Sequence, residues 1–81
     1  MLRYSEELRF KERYYLEPYT LGWIFRKEGS DKVIKRDKHK QLLIVFARSY
    51  CSDRDVVIHV CDRNGVLEDI IEIKDEAKYK E

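Results

Sequence analysis

The sequence contains almost no amide side chains, since Asn64 and Gln41 are the only two. In their place, the 81 residues carry 17 Lys and Arg and 16 Asp and Glu, which leaves a formal net charge of +1. Heat-labile amides are scarce, and Lys- and Glu-rich surfaces are common, in proteins from very hot habitats. The composition therefore predicts a stable protein from a thermophilic source, but it does not indicate a reaction.

Long hydrophobic runs are also missing from the chain. The longest run, 42–47, has six residues, whereas a helix that spans a membrane needs about 18 or more. The N-terminal segment 1–7 lacks the apolar stretch of a signal peptide and is already acidic at Glu6. We therefore expect a cytoplasmic protein with no membrane partner.

Glycine and proline are scarce as well, with three and one in the whole chain. So few breaks in 81 residues predict a single domain over residues 1–81, with tight connections between its elements. The tail 75–81 has a helical composition without an apolar face, so we expect it to fray.

Cys51 and Cys61 are the only cysteines, and they form no Cys-x-x-Cys pair. Neither His39 nor His59 stands in metal-ligand spacing with them, so we expect no metal site and no cofactor. Two hypotheses remain for the pair. The two thiols are buried and free in an ordinary cytosol, or they form a disulfide if the source is hyperthermophilic.

The clearest structural signal is a hairpin near the C-terminus. The β-branched run 55–61 and the apolar run 66–73 flank Asn64-Gly65. This dipeptide is typical of a type I′ turn, which needs positive φ at both central residues. The predicted register pairs Ile58 with Ile71, Val56 with Ile73, and Val60 with Asp69.

Two further segments predict strands. Segment 19–25 alternates in polarity, and Gly22 within it indicates a bend or a close approach of another backbone. Segment 41–50 is apolar on both faces of a strand over six residues. That pattern favours a central strand covered on both sides, or a strand within a closed barrel.

Two segments leave alternatives open. Segment 8–16 alternates as a first strand, which we favour, whereas 5–13 competes as a short helix with Ser5 as its N-cap. Segment 26–40 is polar, with a turn at Gly29-Ser30 and an apolar anchor at Val33-Ile34. A helix beginning at Ser30 or Asp31 is the alternative for that segment.

These signals predict a mainly β fold, either all-β or α+β. Four to five short strands are typical of a small rolled antiparallel sheet or of an SH3- or OB-like barrel. A short helix at the N-terminus or the C-terminus is the only helix that we expect.

The chain lacks the sequence patterns of enzymes. It has no phosphate-binding glycine loop and no HExxH motif, and neither His39 nor His59 stands beside a nucleophile signature. We therefore expect no catalytic residues and a non-enzymatic protein that acts by binding.

The favoured hypothesis is a protein-interaction or regulatory module that forms a homo-oligomer. Seven positive and three negative groups give segment 26–40 a charge of +4, and three positive and six negative groups give 68–81 a charge of −3. Two copies would therefore complement each other, and a domain with so thin a core gains from association. Surplus aromatic residues are typical interface anchors, and the predicted ones are Tyr14, Tyr15 and Tyr50.

The alternative hypothesis is a small nucleic-acid-binding β-barrel. Clustered cations neutralise phosphates, and single-stranded bases stack on aromatic rings. Six of the ten aromatic residues lie between Phe10 and Phe25, just before a basic segment. The predicted binding residues in that segment, 32–40, are Lys32, Lys35, Arg36, Lys38, His39 and Lys40.

Overall fold

Five strands and one helix make up residues 12–74, the part of the chain that this computed structural model describes. In chain order they are β1 (Glu12–Tyr19), β2 (Gly22–Lys27), β3 (Val33–Asp37), α1 (Lys40–Tyr50), β4 (Val56–Cys61) and β5 (Leu67–Ile73). The strands form one sheet in the order β3-β2-β1-β4-β5. The mainly β prediction is thereby confirmed.

The sheet is mixed, not wholly antiparallel as predicted. β1 pairs in parallel with β4, whereas the pairs β1–β2, β2–β3 and β4–β5 are antiparallel. Within residues 12–74, β3 and β5 each pair with one neighbour only, so these five strands form an open sheet. The SH3- or OB-like barrel is therefore replaced by an open sheet with a helix on one face.

Segment 41–50 is helical, and its prediction as a strand was wrong. Leu43 and Ala47 are fully buried, and Tyr50 follows on the same side of α1 at a spacing of three residues. The six apolar residues in a row hid this helical period, because they fill both faces of a strand equally well. Parallel strands cannot be joined by a tight turn. The helix supplies the longer connection that brings the chain from the end of β3 to the start of β4.

The C-terminal hairpin has the predicted register. All three predicted pairs are present, and a bulge follows Val60. The turn, however, is not type I′, because Gly65 has a positive φ of 85° and Asn64 does not. Instead, the Asp62 carboxylate accepts hydrogen bonds from the backbone N–H groups of Asn64 (2.8 Å) and Val66 (3.0 Å), which holds a longer turn with glycine at its left-handed position.

The polar segment 26–40 contains a strand, so the helix considered at Ser30 or Asp31 is not formed. The predicted turn at Gly29-Ser30 is present, with the Ser30 N–H donating to the Lys27 carbonyl at 3.1 Å. The predicted anchor Ile34 packs on the core from β3. Of the N-terminal alternatives, residues 12–16 belong to β1, and the rest of 5–16 lies outside the described residues, as does the tail 75–81.

The core lies between α1 and one face of the sheet. Its aromatic centre is Tyr14 stacked on Phe25, with ring centroids 5.2 Å apart. The fully buried side chains around this pair come from β1, β4, the helix and its C-terminus. They include Leu16, Leu43, Ala47, Cys51, Val56, Ile58 and Val60.

Successive connections along the chain lie at opposite ends of the sheet, which we call the top end and the bottom end. The top end carries the β1–β2 turn (20–21), the β3–α1 connection (38–39) and the β4–β5 turn (62–66). The bottom end carries the β2–β3 turn (28–32) and the α1–β4 connection (51–55). Residues remote in sequence therefore meet at each end.

Gly22 fixes the contact between β2 and the end of β3. A Cβ atom built on Gly22 would lie 2.7 Å from the carbonyl oxygen of Asp37, closer than real Cβ contacts. The predicted close backbone approach at Gly22 is therefore present. Because the clash is with backbone and not with a flexible side chain, any larger residue must displace a strand end.

Gly22→Ala is accordingly expected to lower the free energy of unfolding by about 1–3 kcal/mol, the usual cost of overpacking a tight site. Urea denaturation measures this change. Ser52→Ala, in the exposed α1–β4 connection, serves as the control and should stay within about 0.5 kcal/mol of the wild type. Equal stabilities for Gly22→Ala and the wild type would contradict the close approach.

Candidate functional site

The structure separates the six predicted nucleic-acid-binding residues. Lys32 lies in the bottom-end turn between β2 and β3. Lys35 reaches the helix side of the sheet, where its Nζ lies 5.5 Å from the Phe46 ring centroid. Arg36 reaches the other face, where its guanidinium carbon lies 5.7 Å from the Tyr19 ring centroid. The remaining three lie at the top end: Lys38, His39 and Lys40.

A surface pocket lies at the top end, between the β1–β2 turn and the end of β3. Its volume is about 550 Å³, and it combines apolar and charged lining. Tyr19 and Leu21 are 52% and 82% exposed at this place. The residues that line it are Tyr19, Thr20, Leu21, Gly22, Trp23, Arg36, Asp37 and Lys38.

Trp23 joins this pocket to a second group of cations. Lys40 Nζ lies 4.7 Å, and the Arg63 guanidinium carbon 5.3 Å, from the Trp23 ring centroid. Lys40 also forms a salt bridge with Glu68 of β5. Trp23 itself is only 7% exposed, so its ring is a support for the cations and not an open stacking surface.

The backbone at the pocket is held in an unusual conformation. Thr20 has a positive φ of 45°, which β-branched residues rarely adopt. Gly22 next to it packs against the Asp37 carbonyl. Strained residues persist where their surroundings fix them, and they are frequent at binding sites.

The sheet face opposite α1 carries a stack of aromatic and cationic side chains. Tyr15 stacks on His59 with ring centroids 5.0 Å apart, and the Arg26 guanidinium carbon lies 5.1 Å from the Tyr15 ring centroid. Glu17 Oε2 accepts a hydrogen bond from Arg26 Nε at 2.5 Å, which raises the pKa of Arg26. His59 Nδ1 is buried without a hydrogen-bond partner among the described residues.

The three tyrosines predicted as interface anchors have different surroundings. Tyr14 is 2% exposed in the core and offers no surface to a partner, so that assignment is corrected. Tyr15 is half-buried in the stack on His59. Tyr50 is 42% exposed at the end of α1, where its ring stacks on Phe46 at 5.7 Å.

Arg54 ties the bottom end together beneath Tyr14. Its Nη1 donates to Glu12 Oε1 and to the Tyr14 hydroxyl, both at 3.1 Å, and its Nη2 donates to the Tyr50 carbonyl at 3.1 Å. Burial, together with the hydrogen bond to Glu12, raises the pKa of Tyr14 to about 12. These contacts anchor β1 to the α1–β4 connection and serve the fold.

Cys51 and Cys61 are both buried and free. Cys51 follows α1 at the bottom end, and Cys61 closes β4 at the top end. The length of β4 alone, about 17 Å at 3.3 Å per residue, far exceeds the Cα separation of about 7 Å that a disulfide allows. The disulfide is therefore not formed. Burial raises the pKa of both thiols, that of Cys51 to about 11.

Exposed apolar side chains mark the outer surface of α1. Leu42 is 56% and Val45 64% exposed, and they lie one turn apart on the same side of the helix. Phe46 and Ser49 continue this stripe at helical spacing. The sequence predicts that other parts of the protein cover segment 41–50 on both sides. In the structure, the sheet covers α1 on one side.

Two kinds of feature are absent from residues 12–74. No three His, Cys, Asp or Glu side chains lie close enough together to hold a metal ion. Over the same residues, no helix is long and apolar enough to cross a membrane.

Sequence reasoning missed Leu21, Leu42, Val45 and Arg63. In the strand predicted for 41–50, Leu42 and Val45 lie on opposite faces, so the strand prediction does not show their shared helical side. Arg63 stands 40 residues from Trp23 in the chain and meets it only because the end of β4 and the beginning of β2 lie at the same end of the sheet. The strand predicted for 19–25 places Leu21 on its apolar face, whereas the structure places Leu21 in the β1–β2 turn.

Comparisons of the chain with known protein families, with curated proteins and with solved structures found no match. The candidate sites must therefore be interpreted from their own geometry.

The stability of the fold is expected to decrease between about pH 9 and pH 11. The pKa of Cys51 rises from its ordinary 9.0 to about 11 on folding, so the folded state binds more protons than the unfolded state in this window. The free energy of unfolding then falls as pH rises, by on the order of 2 kcal/mol. Below pH 9 both states hold the proton, and this contribution does not change with pH.

Urea denaturation across this window, on the wild type and on Cys51→Ala, measures the effect. The variant should lose part of the pH dependence, whereas the exposed Ser52→Ala should retain all of it. Equal slopes in the wild type and in Cys51→Ala would show that this thiol does not contribute.

Proposed function

We propose that this protein is a small non-enzymatic interaction module that acts by self-association through α1. The observation that carries the proposal is the stripe formed by Leu42, Val45, Phe46 and Ser49, of which Leu42 and Val45 are more than half exposed. A helix that is apolar around most of its circumference is normally covered on every side. Within residues 12–74 the sheet covers one side of α1, and the exposed stripe offers apolar surface to a second cover.

A second copy of the chain fits this stripe. In an antiparallel helix pair around a two-fold axis between Val45 and Phe46, each Leu42 meets Ser49 of the partner subunit, so that a large side chain faces a small one. The net charge of +1 gives two copies little mutual repulsion. A core as small as that of an 81-residue domain also gains stability from apolar area buried between copies.

The sheet edges favour the helix as the contact surface. The edge strand β3 carries Lys35 and Arg36, and the edge strand β5 carries Glu68 and Asp69. Charged side chains on edge strands are a common device against association of strand with strand. Basic residues of β3 and acidic residues of β5 thus lie at opposite edges of the sheet that residues 12–74 form.

The lack of enzymatic chemistry is supported by the buried thiols. Both cysteines have raised pKa values, so neither is a thiolate nucleophile near neutral pH.

Sedimentation velocity tests the self-association. The wild type, of 9.9 kDa per chain, is expected to sediment as a dimer at concentrations of about 10–100 µM, and Val45→Glu as a monomer, because a buried unpaired carboxylate in the interface costs several kcal/mol. Lys32→Gln is the control, since it changes the charge equally in the exposed β2–β3 turn, away from α1. A wild type that is monomeric at about 100 µM, or a dimeric Val45→Glu, would refute the proposal.

Nucleic-acid binding is a second candidate function, supported by the top end of the sheet. There the exposed Tyr19 ring lies beside Arg36 and Lys38, and Arg63 lies on the same end. An aromatic ring with neighbouring cations is the combination that single-stranded nucleic acid uses.

Fluorescence anisotropy of a labelled single-stranded oligonucleotide tests this candidate. If three cations contact phosphates, raising the salt from 50 to 200 mM should weaken binding about 20-fold. Arg36→Glu should weaken binding strongly, whereas Lys35→Glu should weaken it much less, because Lys35 lies on the opposite face. An affinity that does not depend on the salt concentration, or equal losses of affinity in the two variants, would count against a site at this end.

A further inference from the structure

The top-end pocket has the size and lining of a small-ligand site. Its volume of about 550 Å³ falls within the range of about 300–1,000 Å³ that is usual for such sites. Small-ligand sites are mostly apolar, with a few polar groups that fix the orientation of the ligand. Here Tyr19, Leu21 and Trp23 supply the apolar surface, and Arg36 and Lys38 supply cations.

The apolar part of the pocket suits a planar ring. Tyr19 keeps 52% and Leu21 82% of its surface exposed, although both are side chains that folding normally covers. Arg36 lies over the Tyr19 ring, so a base stacked against the exposed part of this ring would have a cation beside it for the adjoining phosphate.

The charged part of the pocket suits a phosphate. Arg36 and Lys38 approach it from the end of β3 and from the connection that follows. Asp37 is the one carboxylate of the lining, and its Oδ1 accepts a hydrogen bond from the His39 backbone N–H at 2.8 Å. The pocket lining therefore has two positive charges and one negative charge, and its net charge is positive.

The pocket is also fixed before any ligand arrives. The close approach of Gly22 to the Asp37 carbonyl locks the β1–β2 turn against β3, and the positive φ of Thr20 is retained beside it. A preformed site loses little entropy on binding, so a small ligand gains affinity from it.

We propose that this pocket binds a nucleotide, with the base against Tyr19 and Leu21 and the phosphate at Arg36 and Lys38. The nucleotide is either a free mononucleotide or one unit of a single strand, because both present the same base and phosphate. The inference specifies the site of the second candidate function, and it is independent of self-association through α1.

Titrations observed by heteronuclear NMR test the site with three probes. The probes are adenosine monophosphate, a single-stranded oligonucleotide of about ten nucleotides, and inorganic phosphate. Saturable binding of the mononucleotide, with shifts at the backbone amides of Gly22 and Lys38, supports the proposal with a free nucleotide as the source. Binding of the oligonucleotide alone, with shifts at the same amides, supports it with a strand as the source.

Matched variants decide whether the pocket is responsible. Tyr19→Ala and Arg36→Gln should each weaken binding about tenfold or more, whereas Tyr19→Phe, which keeps the ring, and Lys35→Gln, on the opposite face, should change it less than about twofold. Thermal melts of all four variants show whether each is folded. Arg36→Gln keeps the test valid if Tyr19→Ala proves unstable.

Three outcomes would overturn the proposal. The first is no binding of either nucleotide probe by the folded wild type. The second is inorganic phosphate binding as tightly as the mononucleotide, because the base would then contribute nothing. The third is nucleotide binding that survives both Tyr19→Ala and Arg36→Gln. In that third case, an oligonucleotide bound at another site would preserve the second candidate function. Separately, a wild type that is monomeric and binds nucleotide would refute only the self-association.

Discussion

The parallel pairing of β1 with β4 is the constraint on which the rest of the fold depends. Residues 12–16 of β1 lie in register with residues 56–60 of β4. Two parallel neighbours require the chain to return from one end of the sheet to the other before the second strand begins. The eleven residues of α1 span about 16 Å at 1.5 Å per residue, which matches the length of β4. The helix is therefore both the return connection and the cover of the core.

The same constraint explains which parts of the fold were predictable. The hairpin of β4 and β5 is local, and its alternating Val and Ile residues determine the register whatever the rest of the chain does. Segment 41–50 was not predictable in this way, because its continuous apolar run satisfies a two-faced strand and a helix alike. Only the parallel pairing of β4 with β1, which lies more than 20 residues upstream of this segment, decides between them. The turn at Asn64-Gly65 differed in type because the Asp62 side chain captures two of its backbone N–H groups.

The candidate site was also predictable only in part, because local sequence patterns do not show which strands lie together. Arg36 and Lys38 stand in a basic run that is visible in the sequence, but the run alone does not show that Lys35 and Arg36 reach opposite faces. That separation follows from β3 being a strand and not part of a helix. The joining of Tyr19 with Arg36, and of Trp23 with Arg63, depends on which strand ends lie together. The residue types in the sequence indicated which ligand chemistry the site could bind. The order of the strands determined where in the fold these residues meet.

The hydrogen bonds of the β4–β5 turn have a consequence for the chemical ageing of the protein. The chain keeps its one Asn directly before a glycine, where the following backbone nitrogen readily attacks the side-chain amide and releases ammonia. In the folded turn that nitrogen, of Gly65, donates to the Asp62 carbonyl at 3.0 Å. The attacking atom is thus engaged, and deamidation of Asn64 requires this turn to open first.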